Sequence, residues 1–294
     1  MNIENIKFID SIVKEGSIRK ASEKLFISQP AISTAIKKLE QELNIEIFDK
    51  NSYRAVLTEE GRAFYEKAKN ILNEFNLLEE YAKSLKNGIE PEFKIAIDPV
   101  FDISKILNII NDTMLEFPFT KLTISIDYME KVSDYLENKN YDLIIGPEYF
   151  VKNTNMNLEK AFLNEVMVYH VIASNCELLK KKKITEEDLK LLPQVVISNG
   201  TEKSMGIFEE TRKWYVNDFF LKKIIILQGK AWGMIPEYYI TQELKEKKLI
   251  PLKNISNFEP IKLHLFAIRN KNIKHKIVAK TIWEALIKNS KELL

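Results

Sequence analysis

The sequence predicts a multidomain α/β chain: a small N-terminal helical module, one long helix, and then a larger region of alternating strands and helices. Three observations lead there. Apolar residues recur at helical spacing from Ile6 to Leu39, a four-and-three apolar repeat runs from Phe64 to Leu85, and strand-like and helix-like segments alternate from Phe93 onward. At 294 residues the chain is too long for one ordinary core. An apolar content of 45% with 29% charged residues reads as soluble and globular. The net charge of +2 means that any nucleic-acid face must be a local patch. One cysteine, Cys176, excludes a disulfide framework and a multi-cysteine metal site. The start, "MNIENIKFID", carries early acidic residues and no long apolar run, and no apolar stretch reaches membrane-spanning length, so a cytoplasmic protein with no membrane partner is expected.

In the N-terminal module Ile6, Ile9, Ile12 and Val13 mark a first helix that Gly16 is placed to stop. Ser17 can cap a second helix with Ile18, Ala21, Ser22 and Leu25 inward. Phe26 and Ile27 make the turn, and Ser28 caps a third helix with Pro30 in its first turn, where a missing N–H costs little. Ile32, Ala35, Ile36 and Leu39 form its inner stripe, and the small Ala21 and Ser22 let the second and third helices approach. So short a connection is the helix-turn-helix pattern, whose second helix enters the DNA major groove N-terminus first. Its outward side carries Gln29, Ser33, Thr34, Lys37 and Lys38, with Ser28 and Pro30 at its start. Glutamine pairs bidentately with adenine, hydroxyls read several base edges, and lysine reaches phosphates. Polar outsides also suit an ordinary three-helix packing, and periodicity does not separate the two.

Ile45, Ile47 and Phe48, then Lys50-Asn51-Ser52-Tyr53-Arg54, then Val56 and Leu57 suggest a small hairpin, a wing that carries Lys50 and Arg54 at its tip. With "SQPAIS", "IKKLE", "IFDK" and "LTEEG" in order, about the first sixty residues resemble the winged DNA-binding domain of LysR-type transcriptional regulators. The resemblance implies binding to double-stranded promoter or operator DNA through residues 1–58. Many members of that family place an arginine after the serine of the reading helix. Here the position is Thr34, which removes a long cationic reader.

Thr58 caps the long helix, with Glu59 and Glu60 in the first turn where its dipole favours them. Phe64, Ala68, Ile71, Phe75, Leu78, Ala82 and Leu85 then make a coiled-coil seam over residues 59–88. Packing on its own module is one explanation; pairing with a second copy fits so regular a seam better, and the resemblance implies the same. A homodimer or homotetramer is therefore expected. Gly88 and Pro91 in "KNGIEP" end the helix.

Beyond it, "FKIAID" reads as a strand, 103–117 as a helix, "KLTISID" as a strand, "KVSDYLEN" as a helix and "YDLIIG" as a buried strand, which is βαβ logic and predicts a mainly parallel sheet. "VMVYHVIA", "QVVIS" and "LHLFAI" are further strands. "KKIIILQG" has strand-like β-branching, but Asp218 is a good N-cap and Gly229 a good stop, so 218–228 is assigned as a helix and "WGMIP" as the strand after it. "LQGKAWGMIPEYYI" resembles the segment before an Ile-Pro or Leu-Pro step in LysR-type effector domains. That resemblance implies two Rossmann-like lobes of periplasmic-binding-protein type over 92–294. Lobe I would hold 92–163 with 266–294 and lobe II 164–265, and a small-molecule effector would bind between them.

Strand ends face such a crevice, and helix N-termini there attract anions. The candidate effector contacts are Asp98, Val100, Phe101, Asp102, Tyr128, Gly146, Pro147, Ser198, Asn199, Thr201 and Trp232. Family members that bind carboxylates usually offer a hydroxyl after the first strand. Asp98 and Asp102 stand there instead and would repel an anion, so a neutral or cationic effector is expected, unless Asp102 only caps its helix.

Enzymatic motifs are missing: no HExxH, phosphate loop or nucleophile elbow appears, His170 and His264 sit in apolar strand patterns, and His275 lies in a basic stretch. No catalytic residue, metal or cofactor is expected. Two functions remain. One is a ligand-responsive, DNA-binding regulator, with RNA polymerase a candidate partner. The other is a solute-binding or enzymatic α/β protein with an N-terminal interaction module. DNA retention that falls steeply with salt separates them.

Overall fold

The computed structural model describes residues 1–50, 52, 54–128, 135–136, 141–148, 156–198, 211–252 and 258–289. These form two compact units, Met1–Asn87 and Gly88–Leu294.

In the first unit, α1 (Ile3–Glu15) ends where Gly16 adopts φ 74°, a left-handed conformation that a side chain would strain, and its N–H donates to the Ile12 carbonyl at 2.9 Å. Ser17 then accepts the Lys20 N–H to open α2 (Ile18–Leu25). α3 (Gln29–Leu43) follows almost at once. The core between them is Ile9, Ile12, Ala21, Ile32, Ile36 and Leu39, joined by Ile47. Ser28 flanks α3 as expected but makes no side-chain cap bond. Pro30, the second helical residue, has removed one of the N–H groups a cap would serve. The Ser28 side chain is left exposed.

The wing is short. Phe48 and Leu57 form an antiparallel bridge, and the Asp49 N–H donates to the Val56 carbonyl at 2.8 Å. α4 (Glu59–Lys86) begins with the Thr58 hydroxyl accepting the Gly61 N–H at 2.8 Å. The expected seam divides. Ala68, 2% exposed, and Leu72 pack with Ile6, while Phe64 is half-buried beside them. Phe75 lies under the Lys7 ammonium, 4.8 Å from the ring centre. Phe64 and Ala68 are therefore core residues of their own module, because α4 must cover the open face of α1 before it can offer anything outward. Ile71 at 51% and Leu78 at 62% exposure, with Ala82 and Leu85, are the part that stays on the surface.

The second unit is built on nine strands among the described residues. β1 (Glu92–Ile97) pairs in parallel with β2 (Lys121–Ile126) and β3 (Leu143–Pro147). β5 (Gln194–Ile197) pairs in parallel with β6 (Lys213–Val216) and β7 (Trp232–Pro236). Between these two parallel trios run β4 (Leu158–Ala173) and β9 (Ile261–Asn270), antiparallel to each other and to their outer neighbours. The sheet is thus mixed where a mainly parallel one was expected. One long strand leaves the first trio and one returns to it, and two such strands must run in opposite directions. β8 (Leu249–Pro251) adds to β4, whose pairing with β9 slips register at Leu163.

Helices cover both trios. The 3₁₀ turn Ile103–Lys105 and α5 (Leu107–Glu116) replace the single helix expected over 103–117. Buried Glu90 accepts the Val278 and Ala279 N–H groups at 2.9 and 3.2 Å, capping α9 (Ile277–Asn289) from a distant part of the chain. α6 (Glu186–Lys190), α7 (Phe219–Leu227) and α8 (Glu237–Lys245) complete the unit. α7 is a helix with Asp218 as its cap, and "WGMIP" is the strand after it. The helix expected in "KVSDYLEN" lies outside the described residues apart from the buried Tyr135 and Leu136.

Candidate functional site

On the first unit Ser28, Gln29, Pro30, Thr34, Lys37 and Lys38 are all exposed along one side of α3, and Ser33 is half-buried. Lys37 and Lys38 make no ion pair among the described residues. Glu40, at the far end of this helix, accepts the N–H groups of Ile47 and Phe48 at 2.8 and 3.1 Å, so the reading helix and the wing are held to one another. Lys50 and Arg54 are exposed on the wing. Lys50 pairs with Glu46, and that hydrogen bond raises its pKa. Both partners are open to water, so the pair can exchange for a phosphate at little cost. In the sequence Phe26 reads only as a turn residue. The structure sets it at φ 55° with 94% exposure, an exposed aromatic side chain in the turn between α2 and α3.

In the second unit a cavity of about 450 Å³ opens between the strand ends. Pro99 follows β1, Ile126 ends β2 and Asp127 and Tyr128 follow it; Ser198 follows β5, and Asn217 and Asp218 lead into Phe219 and Phe220, the first residues of α7. Tyr239 comes from α8. These are the positions that open α/β sheets give to ligands. Phe219 stands 4.9 Å from Tyr239 and 6.0 Å from Tyr128, ring centre to ring centre.

Tyr128 and Ser198 of the expected contacts line this cavity. Asn199 and Thr201 lie outside the described residues. The others are elsewhere. Val100 and Phe101 are buried in the core of the first trio, and Gly146 and Pro147 are buried in β3, paired with Phe266 and Leu265. Trp232 is 0% exposed, its indole N–H donating to the Leu189 carbonyl at 3.1 Å, because its strand position faces the core beneath the sheet and away from the crevice. Asp98 is buried and accepts the Val100 N–H at 2.9 Å. Asp102 caps the 3₁₀ turn, accepting the Ser104 N–H and hydroxyl at 3.0 and 2.7 Å. Both carboxylates thus serve the backbone, which is what residues just before a helical turn do best.

Ile126, Asp127, Asn217, Asp218, the two phenylalanines and Tyr239 line the cavity but are not among the contacts that the sequence suggests. The signal for α7 was present, since Asp218 marks a helix start and helix starts face the crevice.

Two basic side chains are buried without catalytic company. His170 packs 4.8 Å from Phe258, and burial pushes its pKa down to about 4. Lys222 is buried in α7, and burial pushes its pKa down to about 7. Cys176 is buried. His264 approaches Glu165 at 2.9 Å and His275 the Asn270 carbonyl at 2.7 Å, both accounted for within the fold. No cluster of three metal-binding side chains exists among the described residues, and none of their helices is long and apolar enough to cross a membrane.

A helix-turn-helix module with a wing, joined by a long helix to an α/β unit with a cleft, defines a DNA-binding protein of regulatory architecture. Residues 3–62 match the family model for bacterial regulatory helix-turn-helix proteins of the lysR family, and residues 86–291 match the LysR substrate binding domain. The chain belongs to the LysR family and is a DNA-binding transcriptional regulator with an effector-binding domain. It is similar to the uncharacterized HTH-type transcriptional regulator YeeY of Escherichia coli (26% identity, covering 88% of this chain and 86% of that one). It is also similar to the HTH-type transcriptional activator CmpR of Synechocystis (25%, covering 94% and 91%). The full-length LysG of Corynebacterium glutamicum, solved with bound effector Arg, shares the fold at a TM-score of 0.52 and 18% identity over 99% of both chains.

Proposed function

We propose that this regulator acts in the cytoplasm as a homodimer or homotetramer, without catalysis of its own. Its copies pair through the outer stripe of α4, with Ile71, Leu78, Ala82 and Leu85 as the pairing residues. Gln29, Ser33 and Thr34 read base edges, Ser28 and the first turn around Pro30 sit against the backbone, and Lys37, Lys38, Lys50 and Arg54 take phosphates. A small molecule held between the lobes favours one arrangement of the paired modules by its differential affinity. We place the lobe boundaries at the Leu163 bulge of β4 and the facing Leu265 of β9. RNA polymerase is the candidate partner of the bound complex.

The observation that carries the reading is the exposed polar face of α3, presented by a helix whose other side is fully engaged in its module's core. Its test is retention of duplex DNA by the wild-type chain and by Lys37→Ala over a range of salt. The reading expects a steep loss with salt and a shallower slope in the variant. Salt-independent retention would contradict it.

A further inference from the structure

The cleft has a chemical character that the family does not dictate. Three backbone N–H groups near the strand ends are taken by the chain's own carboxylates. Asp98 accepts from Val100, Asp102 from Ser104, and Asp218 from Leu221 at 2.7 Å at the start of α7. Asp218 thereby sets a carboxylate charge at the positive end of α7. No lysine or arginine stands among the described lining residues, whereas Asp127 and Asp218 both do.

The remaining wall is aromatic. Tyr128, Phe219 and Tyr239 form a continuous set of rings, with Phe220 beside them. Burial raises the Tyr239 pKa, its bond with Tyr238 partly offsets this, and Asp218, Asp102 and Asp98 add smaller upward pushes. Lys222 comes within 5.7 Å of the Phe219 ring but does not line the cavity, and burial favours its neutral form.

Ring faces carry negative potential and attract cations most strongly where water is excluded. Carboxylates at the same mouth add Coulomb attraction for an ammonium and repulsion for an acid. We infer that the effector is an organic cation, an alkyl- or arylalkyl-ammonium whose charged head lies among Tyr128, Phe219 and Tyr239 and faces Asp127 and Asp218. This rests on the proposal that the cleft is the effector site.

The test is calorimetric titration of the full chain with 2-phenylethylammonium, tetramethylammonium and succinate. Asp218→Asn removes a charge while asparagine remains a good helix cap, and Asp127→Asn keeps an acceptor for the Tyr135 hydroxyl. Phe219→Leu keeps the side chain apolar and removes the ring. Unfolding midpoints establish that each variant is folded. Saturable binding of at least one ammonium, weakened about tenfold or more by each variant and absent for succinate, is the expected result. Succinate binding in preference to both ammonium ions, ammonium binding indifferent to all three variants, or no ammonium binding at millimolar concentration each overturns the inference. DNA retention measured in parallel separates the two claims. A chain that retains operator DNA but prefers succinate loses only the cation assignment. A chain that binds the ammonium but retains no DNA loses the regulatory reading and keeps the site.

Discussion

The Tyr238 hydroxyl donates to the Pro99 carbonyl at 2.6 Å, and the hydroxyl of the next residue, Tyr239, reaches the same oxygen at 3.3 Å. One backbone oxygen after β1 thus joins that loop to the first turn of α8. Burial raises the Tyr238 pKa, so its proton stays in place at all working pH values. Tyr238→Phe should cost about 1 kcal/mol in chemical denaturation. It should also change ligand affinity, because Pro99 and Tyr239 both line the cavity. A variant with wild-type midpoint and affinity would show the contact to be incidental.

Acid should weaken the second unit through His170. Its folded pKa, about 4, lies below the ordinary 6.5 because burial disfavours the charged ring, with Lys222 adding a smaller push and the Phe258 backbone a partial offset. The unfolded chain therefore binds more protons between these values, and stability falls as pH drops from about 6.5 to about 4, by ~3 kcal/mol in all. Lys222 acts in the same direction higher up. Its folded value of about 7 lies below its ordinary 10.5, so stability rises with pH across that interval. From about pH 6.5 to about 4 the unfolding free energy of wild type should fall by ~3 kcal/mol relative to that of His170→Leu. A constant difference between them would contradict this origin.

On α4, Leu78→Asp should separate the copies in sedimentation while leaving the module's melting temperature unchanged, since Leu78 is exposed in the single chain. Phe75→Asp would be less clean, because it also strips the contact with Lys7. An intact Leu78→Asp dimer would move the interface off this helix.

Gly61 illustrates a different constraint. A Cβ there would stand 2.0 Å from the Ile47 carbonyl oxygen, which is backbone and cannot turn away. Gly61→Ala should lose ~1–3 kcal/mol and disturb the wing's attachment, lowering DNA affinity with it. An unchanged melting temperature would mean that α4 can shift to make room.

The N-terminal unit was legible in the sequence almost throughout, because its helices are short, capped and amphipathic, and Ser17, Gly16 and Thr58 act locally. The cleft was legible only in outline. Strand ends and the Asp218 cap could be placed in sequence, but which side of a strand Trp232 presents depends on its register with β4, which is a long-range property. The sequence offers Asp98 as a ligand-facing charge and Asp102 as either that or a helix cap, and the structure uses both on neighbouring N–H groups. The proposal of a cationic effector rests instead on Asp127 and Asp218, and on rings that no short motif announces.

On the DNA face, Gln29→Ala should relax base preference with modest loss of total affinity, whereas Arg54→Ala should weaken all sequences alike. Selection from a randomised duplex pool reads this directly. An unchanged preference in Gln29→Ala would remove it as a base reader.

The most direct measurement is a footprint of the purified chain on the DNA upstream of its own gene at low and high salt. The account predicts protected patches spaced by whole helical turns, lost as salt rises, as expected for paired α3 helices entering successive major grooves on one face. Uniform coverage with no preferred patch, or no protection at either salt, would contradict it.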